Sequence, residues 1–206
     1  MPELVNSAAM ERGTDLQVAF GRVFGHDVDA GEQDSVRLDW IESPVGPLLA
    51  GATNEAVVLL EFSDRRILET QLQTLRRRLA TTIVPGSNRL LTTLRRQLGE
   101  YFSQQRRDFN LPLHYPGTTF QQKVWSTLLT IPYGETWSYL QLARTIGDVK
   151  ATRAVGTANG MNRIAIVIPC HRVINASGAL GGYGGGLERK QILLDLERGQ
   201  GRLLAE

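Results

Sequence analysis

The chain of 206 residues has one cysteine, Cys170. An internal disulfide framework and a cysteine-rich zinc module are both excluded. No apolar run approaches the roughly 20 residues that span a bilayer. The N-terminal stretch MPELVNSAAMERGTD is polar and acidic, unlike a secretory signal. A reducing, intracellular setting is therefore expected. Global disorder is excluded by a hydrophobic content of 42%. The lone thiol has two readings. It is an inert core side chain, as free cysteine usually is, or it is the reagent of the protein.

Charge is nearly balanced, with 23 Lys+Arg against 21 Asp+Glu. The balance hides an asymmetry. Residues 1–119 hold 13 basic and 15 acidic side chains, whereas residues 120–206 hold 10 and 6. The thiol thus lies in a basic half, which permits nucleic-acid contact without requiring it.

The pattern divides the chain into three. Residues 1–34 carry seven acids and two arginines, with one short amphipathic helix expected through Leu16, Phe20, Val23 and Phe24. Residues 35–115 read as a small α/β domain. Runs at 36–40, 47–53 and 56–62 predict an antiparallel meander. A helix is predicted over 65–79, and a second follows Pro85-Gly86, capped by Ser87. A strand is expected over 109–113. Residues 116–206 read as mainly helical. Thr119 with Gln122, and Ser138 with Gln141, predict two capping boxes. The helix 138–146 ends at Gly147, and another follows over 150–159. That spacing is the helix-turn-helix pattern, and an ordinary helical pair reads the same way. Lys150 and Arg153 at the start of the second helix suit phosphate. The fold class is α/β of the α+β kind: an N-terminal antiparallel sheet with helices, then a helical domain with a helix-turn-helix.

Ile164–Ile168 is a continuous apolar run, read as a buried strand, and it leads into Pro169-Cys170-His171-Arg172-Val173-Ile174. In a continuing strand Cys170 and His171 would face opposite ways. A turn after Pro169 would bring thiol and imidazole to one side, where His171 could take the thiol proton directly or through one water. On the dipeptide alone, a core cysteine beside a core histidine is the commoner arrangement. Six of the 21 glycines fall within residues 178–186. Such a stretch is a flexible loop or a pocket wall that a ligand approaches closely. Glu197, on a final helix from about Leu187, is a solvated residue or a carboxylate that orients His171.

Together these residues resemble the O6-alkylguanine-DNA alkyltransferase family. The resemblance is carried by Ile168–Ile174, Pro132-Tyr133-Gly134-Glu135-Thr136-Trp137-Ser138-Tyr139, Thr152-Arg153-Ala154-Val155-Gly156 and Gly182-Tyr183-Gly184-Gly185-Gly186-Leu187. It spans about Phe120 to Glu197, with a weaker likeness over 35–115.

The resemblance implies direct reversal of DNA damage. Cys170 would take the alkyl group of O6-alkylguanine, with O4-alkylthymine a second candidate, in one irreversible turnover. His171 would be the water-linked base and Glu197 its orienting carboxylate. Tyr139 would protonate guanine N3, and Asn162 would be the hinge beneath the thiol segment. Arg153 would fill the stack after base flipping, with Lys150, Thr152, Ala154 and Gly156 on the DNA-facing helix. Val173, Tyr183, Gly184, Gly185 and Trp125 would line the pocket.

No cofactor or metal is implied. The implied partner is double-stranded DNA, not a membrane. The protein would be a cytoplasmic monomer, nucleoid-associated in a bacterium or nuclear in a eukaryote, with cooperative binding left open. Gly184 departs from a serine common in the family, and Arg163 and Ala165 stand where some members have prolines. Relatives that only recognise lesions lack the acceptor cysteine, which sets them apart from this chain. A thiol hydrolase would need an oxyanion site that the sequence does not supply.

Overall fold

The computed structural model describes residues 35–200. The helix expected near Leu16–Phe24 lies outside them. The meander forms as β1 (Val36–Ile41), β2 (Leu48–Ala52) and β3 (Val57–Phe62), paired antiparallel in sequence order. A strand missed in the sequence, β4 (Ile83–Pro85), adds parallel to β1, so the order is β3-β2-β1-β4. Alternation along the strands gives the sheet two apolar faces. Val36, Leu38, Leu49 and Leu59 pack with Leu72 and Leu75 of helix α1 (Leu68–Leu79). Ile41, Leu48, Ala50, Leu60 and Phe62 join a larger core shared with the C-terminal half.

Two helix starts in the N-terminal half differ from expectation. Helix α1 begins three residues late. Helix α2 (Arg89–Phe102) is capped by Asn88, whose side chain accepts from the Leu91 N–H at 3.0 Å, rather than by Ser87. The stretch over 109–113 is not a strand, because Pro112 has no N–H for a ladder. One isolated bridge pairs Leu113 with Val57.

Helix α3 (Thr119–Leu128) carries a capping box between Thr118 and Gln121, one residue before the expected pair. The doublets Thr118-Thr119 and Gln121-Gln122 offer the i, i+3 spacing twice, and Thr118 is the one in extended backbone. Ser138 with Gln141 caps α4 (Tyr139–Thr145) as predicted. Gly147, at φ +83, reverses the chain. A 3-10 turn at Val149–Ala151 leads into α5 (Thr152–Gly160), completing the helix pair.

The run Ile164–Ile168 is buried but is not a strand. Ile166 is left-handed at φ +70, and Ile168 N–H donates back to the Ile164 carbonyl at 2.9 Å. A continuous apolar run specifies burial, not period. Here the Asn162 side chain replaces strand neighbours, accepting from Ile164 N–H at 3.0 Å and donating to the Ile168 carbonyl at 2.8 Å.

Next come a 3-10 turn at Cys170–Arg172 and β6 (Val173–Ile174), parallel to β5 (Trp137–Ser138). That pairing sets the first turn of α4 beside the thiol segment. Helix α6 (Leu187–Glu197) closes the described fold. The halves meet at the outer edge of β3. Leu60 N–H donates to the Arg163 carbonyl at 2.8 Å, and Ala165 N–H donates to the Leu60 carbonyl at 2.7 Å.

Candidate active site

Pro169 ends the apolar turn, and the next residues wind into a single 3-10 turn carrying Cys170, His171 and Arg172, all buried. The thiol is 5% exposed. Its sulfur accepts a hydrogen bond from Asn162 Nδ2 at 3.0 Å. Burial pushes the Cys170 thiol up to about 11; the Asn162 donor, Arg65 and Lys190 oppose that, while Glu61 adds to it. At neutral pH the thiol is protonated, so attack requires a proton acceptor.

His171 lies wholly inside the protein, and its Nε2 meets Glu197 Oε1 at 2.8 Å. Burial lowers its pKa, against the opposing pull of Glu197. A neutral imidazole donating Nε2–H to a carboxylate leaves Nδ1 as an acceptor. Nδ1 has no hydrogen-bond partner within the protein. The turn thus presents a thiol beside a base with one nitrogen fixed and the other open.

Glu197 is buried, not solvated. Oε1 accepts from His171, from the Tyr101 hydroxyl at 2.8 Å and from Arg172 at 2.9 Å. Oε2 accepts from Arg172 Nε at 2.8 Å and the Gly134 N–H at 3.1 Å. Burial raises its pKa, but the donors from His171 and Arg172 outweigh that and hold it well below the usual carboxylate range. It is a fixed anion.

Tyr139 opens α4 and donates to the Gly182 carbonyl at 3.4 Å. Burial, then the nearby Cys170, raise its pKa, so it remains an O–H donor. Its ring rests on Gly181, where a Cβ would lie 2.7 Å from the ring and its hydroxyl. Tyr139 also borders a cleft of about 670 Å³ lined by Lys150, Thr152, Arg153 and Gly156. Lys150 and Arg153 are exposed there, and Ala154 is exposed on the same helix.

Val173 is fully buried, and Tyr183 meets Phe62 edge-on at 5.9 Å between centroids. The Gly184-Gly185 backbone packs on the Arg65 guanidinium and the Phe62 ring, leaving no room for a side chain. Trp125 corrects the expectation of a pocket wall. It has no exposed surface, its Nε1 donates to the Ala158 carbonyl at 2.8 Å, and Arg163 lies over its ring. Its bulk fills the core between α3 and α5.

Four polar residues of the site were not singled out in the sequence. Tyr101 and Arg172 hold Glu197. Lys190, fully buried, donates to the Val173 carbonyl at 2.6 Å and the Gly181 carbonyl at 3.1 Å, and burial brings its pKa down to about 8. Arg65 reaches the site from the N-terminal half. Among the described residues, no group of three or more His, Cys, Asp or Glu could hold a metal ion. None of their helices is long and apolar enough to cross a membrane.

Two family models cover most of the chain. Residues 36–115 match the ribonuclease-like domain of 6-O-methylguanine DNA methyltransferase, and residues 119–199 match its DNA-binding domain. A methylated-DNA–protein-cysteine methyltransferase of Mycobacterium bovis is 47% identical over 158 residues, covering 77% of this chain and 90% of that protein. One from Methanosarcina acetivorans is 41% identical over 161 residues, covering 76% and 94%. The crystal structure of Mycobacterium tuberculosis OGT in complex with DNA superposes with a TM-score of 0.67 at 43% identity, covering 81% and 94%.

Proposed function

The chain belongs to the 6-O-methylguanine DNA methyltransferase family, and from that premise we propose that it repairs DNA by moving the alkyl group of O6-alkylguanine onto Cys170. One observation carries the reading. A buried thiol shares a short turn with a neutral imidazole whose Nε2 is fixed by a buried carboxylate and whose Nδ1 is open.

The lesion lies inside a duplex, so the nucleotide is flipped out, at a cost of a few kcal/mol. Helix α5 enters the minor groove, and Arg153 fills the gap in the stack. Lys150, Thr152, Ala154 and Gly156 lie against backbone, which suits contact that ignores sequence. The base occupies the space bounded by Val173, Tyr183, Gly184 and Gly185. The thiol proton passes through one water to His171 Nδ1, and Glu197 stabilises the resulting imidazolium. The thiolate then attacks the alkyl carbon in line. The C–S bond forms, the C–O6 bond breaks, and its electron pair stays with guanine. Tyr139 donates a proton to N3 and recovers one from solvent, while the His171 imidazolium releases its extra proton to solvent. The alkyl donor is the lesion itself, so the step calls for no cofactor or metal. Asn162 supports the thiol turn throughout. The thioether is stable and the chain has no second thiol to remove it, so each monomer acts once. Residues 35–115 brace the site and 116–206 carry the chemistry and the DNA contact.

The test is a duplex with one radiolabelled O6-methylguanine, followed by excess fresh duplex. Label should reach the protein in at most a 1:1 ratio, with a gain of one CH₂ on the Cys170 peptide. Continued turnover, or no transfer by folded protein, would sink the reading. Cys170→Ser should lose transfer and keep DNA binding.

A further inference from the structure

Arg65 lies just past β3, in the N-terminal half, yet most of its contacts are in the other half. Its guanidinium pairs with Glu61 and donates to the carbonyl oxygens of Gly160 and, at 3.3 Å, Asn162. Gly160 is the last residue of α5, and Asn162 is the residue whose amide holds the thiol. On its other side the guanidinium covers the glycine loop. A Cβ at Gly184 would stand 2.5 Å from its Cζ and 2.7 Å from one terminal nitrogen. One cation therefore touches both walls of the site. Glu61 beneath it is wholly buried and also accepts from the Phe62 N–H at 3.0 Å. A buried carboxylate tolerates burial only when paired, so the pair fixes where the guanidinium sits.

We propose that Arg65 is a positioning residue for alkyl transfer: anchored on Glu61, it sets the spacing between the Asn162 wall and the Gly184 wall. The inference rests on the reading that Cys170 is the acceptor. Arg65 makes no bond to the alkyl group and acts through Asn162 and the loop backbone. The same geometry explains glycine at 184, because the guanidinium fills the volume that a side chain there would take. The charged and polar groups facing Cys170 are Asn162 near its own segment, Glu61 and Arg65 from the β3 edge, Tyr139 from α4, Tyr183 from the loop and Lys190 from α6, with His171 the next residue along the chain. Of these, Asn162, Arg65 and Lys190 favour the thiolate, and Glu61 opposes it.

Three variants test this: Arg65→Lys, Gly184→Ala and the double change. Lysine keeps a positive charge for Glu61 but has no fork to span two carbonyls. Alanine at 184 evicts the guanidinium while leaving Arg65 in the chain, so it serves even if Arg65→Lys folds poorly. Methyl transfer from an O6-methylguanine duplex is measured, together with the pH profile of Cys170 alkylation by iodoacetamide. Each single change should slow transfer about tenfold and move the iodoacetamide midpoint to higher pH, and the double change should add no more than about twofold to Arg65→Lys. Losses that multiply to about a hundredfold, or an unmoved midpoint in either single variant, overturn the proposal. The iodoacetamide profile needs no DNA. It therefore judges Arg65 even if the wild-type protein transfers no methyl group, a result that would overturn the proposed function instead.

Discussion

Tyr101→Phe separates the hydroxyl of Tyr101 from its ring. The ring is fully buried, edge-on to Phe102 at 5.3 Å and to Tyr133 at 6.1 Å, and tilted against Phe109 at 5.5 Å. Phenylalanine keeps those contacts. What is lost is one bond from a neutral hydroxyl to a buried carboxylate, of a kind contributing about 1.5–3 kcal/mol. Glu197 retains donors from His171, Arg172 and Gly134, so its charge is not orphaned and the lower end applies, about 1.5–2 kcal/mol. For a chain of this size each kcal/mol moves Tm by about 2–4 °C, so Tm should fall by about 3–8 °C.

The chemistry should respond as well. Without Tyr101 competing for Oε1, Glu197 holds the His171 proton more strongly, and His171 becomes easier to protonate. A protonated His171 cannot accept the thiol proton. The acid limb of the transfer rate therefore moves to higher pH. Differential scanning fluorimetry and transfer rates across the acid range read both effects. A Tm loss under about 2 °C, or an acid limb that stays or moves down, would refute the hold of the Tyr101 hydroxyl on Glu197.

The remaining expectations concern three residues. Asn162→Ala removes the donor at Sγ that favours the thiolate, so the rate at pH 7 should fall about tenfold; an unchanged rate would count against that bond. Lys190 sheds its proton near pH 8 in the folded state but near 10.5 when unfolded, so stability gains about 1 kcal/mol as pH rises from 8 to 9. The raised Cys170 pKa takes the opposite sign as the unfolded thiol ionises through about pH 9, so in the wild type it offsets about a third of that gain between pH 8 and 9. Urea unfolding should show that gain in the wild type and not in Lys190→Met, and equal slopes would refute it. Arg153→Ala should impair transfer from duplex far more than from a free O6-alkylguanine base, and equal losses would remove its role in the stack.

The sequence made the reacting pair legible because Pro169-Cys170-His171 leaves little conformational choice. The two residues are adjacent, and the single 3-10 turn that follows Pro169 carries both. The helix pair was legible through Ser138, Gln141 and Gly147, whose roles are local. What escaped depends on partners far along the chain. Ile164–Ile168 has the composition of a strand, and only the side chain of Asn162 shows why it turns. β4 is three residues long and ends on Pro85, so it carries no period. Tyr101 belongs to the apolar stripe of α2, and its hydroxyl acquires a use only when α6 brings Glu197 to it. Glu61, Arg65 and Lys190 are charged, and charge in a sequence reads as solvated surface. Their burial is a property of the assembled halves.

The edge of β3 bears on how the molecule could be cut. The two matched regions part between residues 115 and 119. A proteolytic clip there would divide the sequence cleanly, but not the energetics. Released alone, the N-terminal fragment would expose the unpaired edge at Leu60 and the apolar face behind it, an invitation to aggregate. The C-terminal fragment would keep cysteine, histidine and glutamate yet lose the tyrosine hydroxyl from α2. A nicked protein should therefore hold together as a complex and melt in one transition, and a helix-turn-helix half transplanted to another scaffold would carry the reagent without its support.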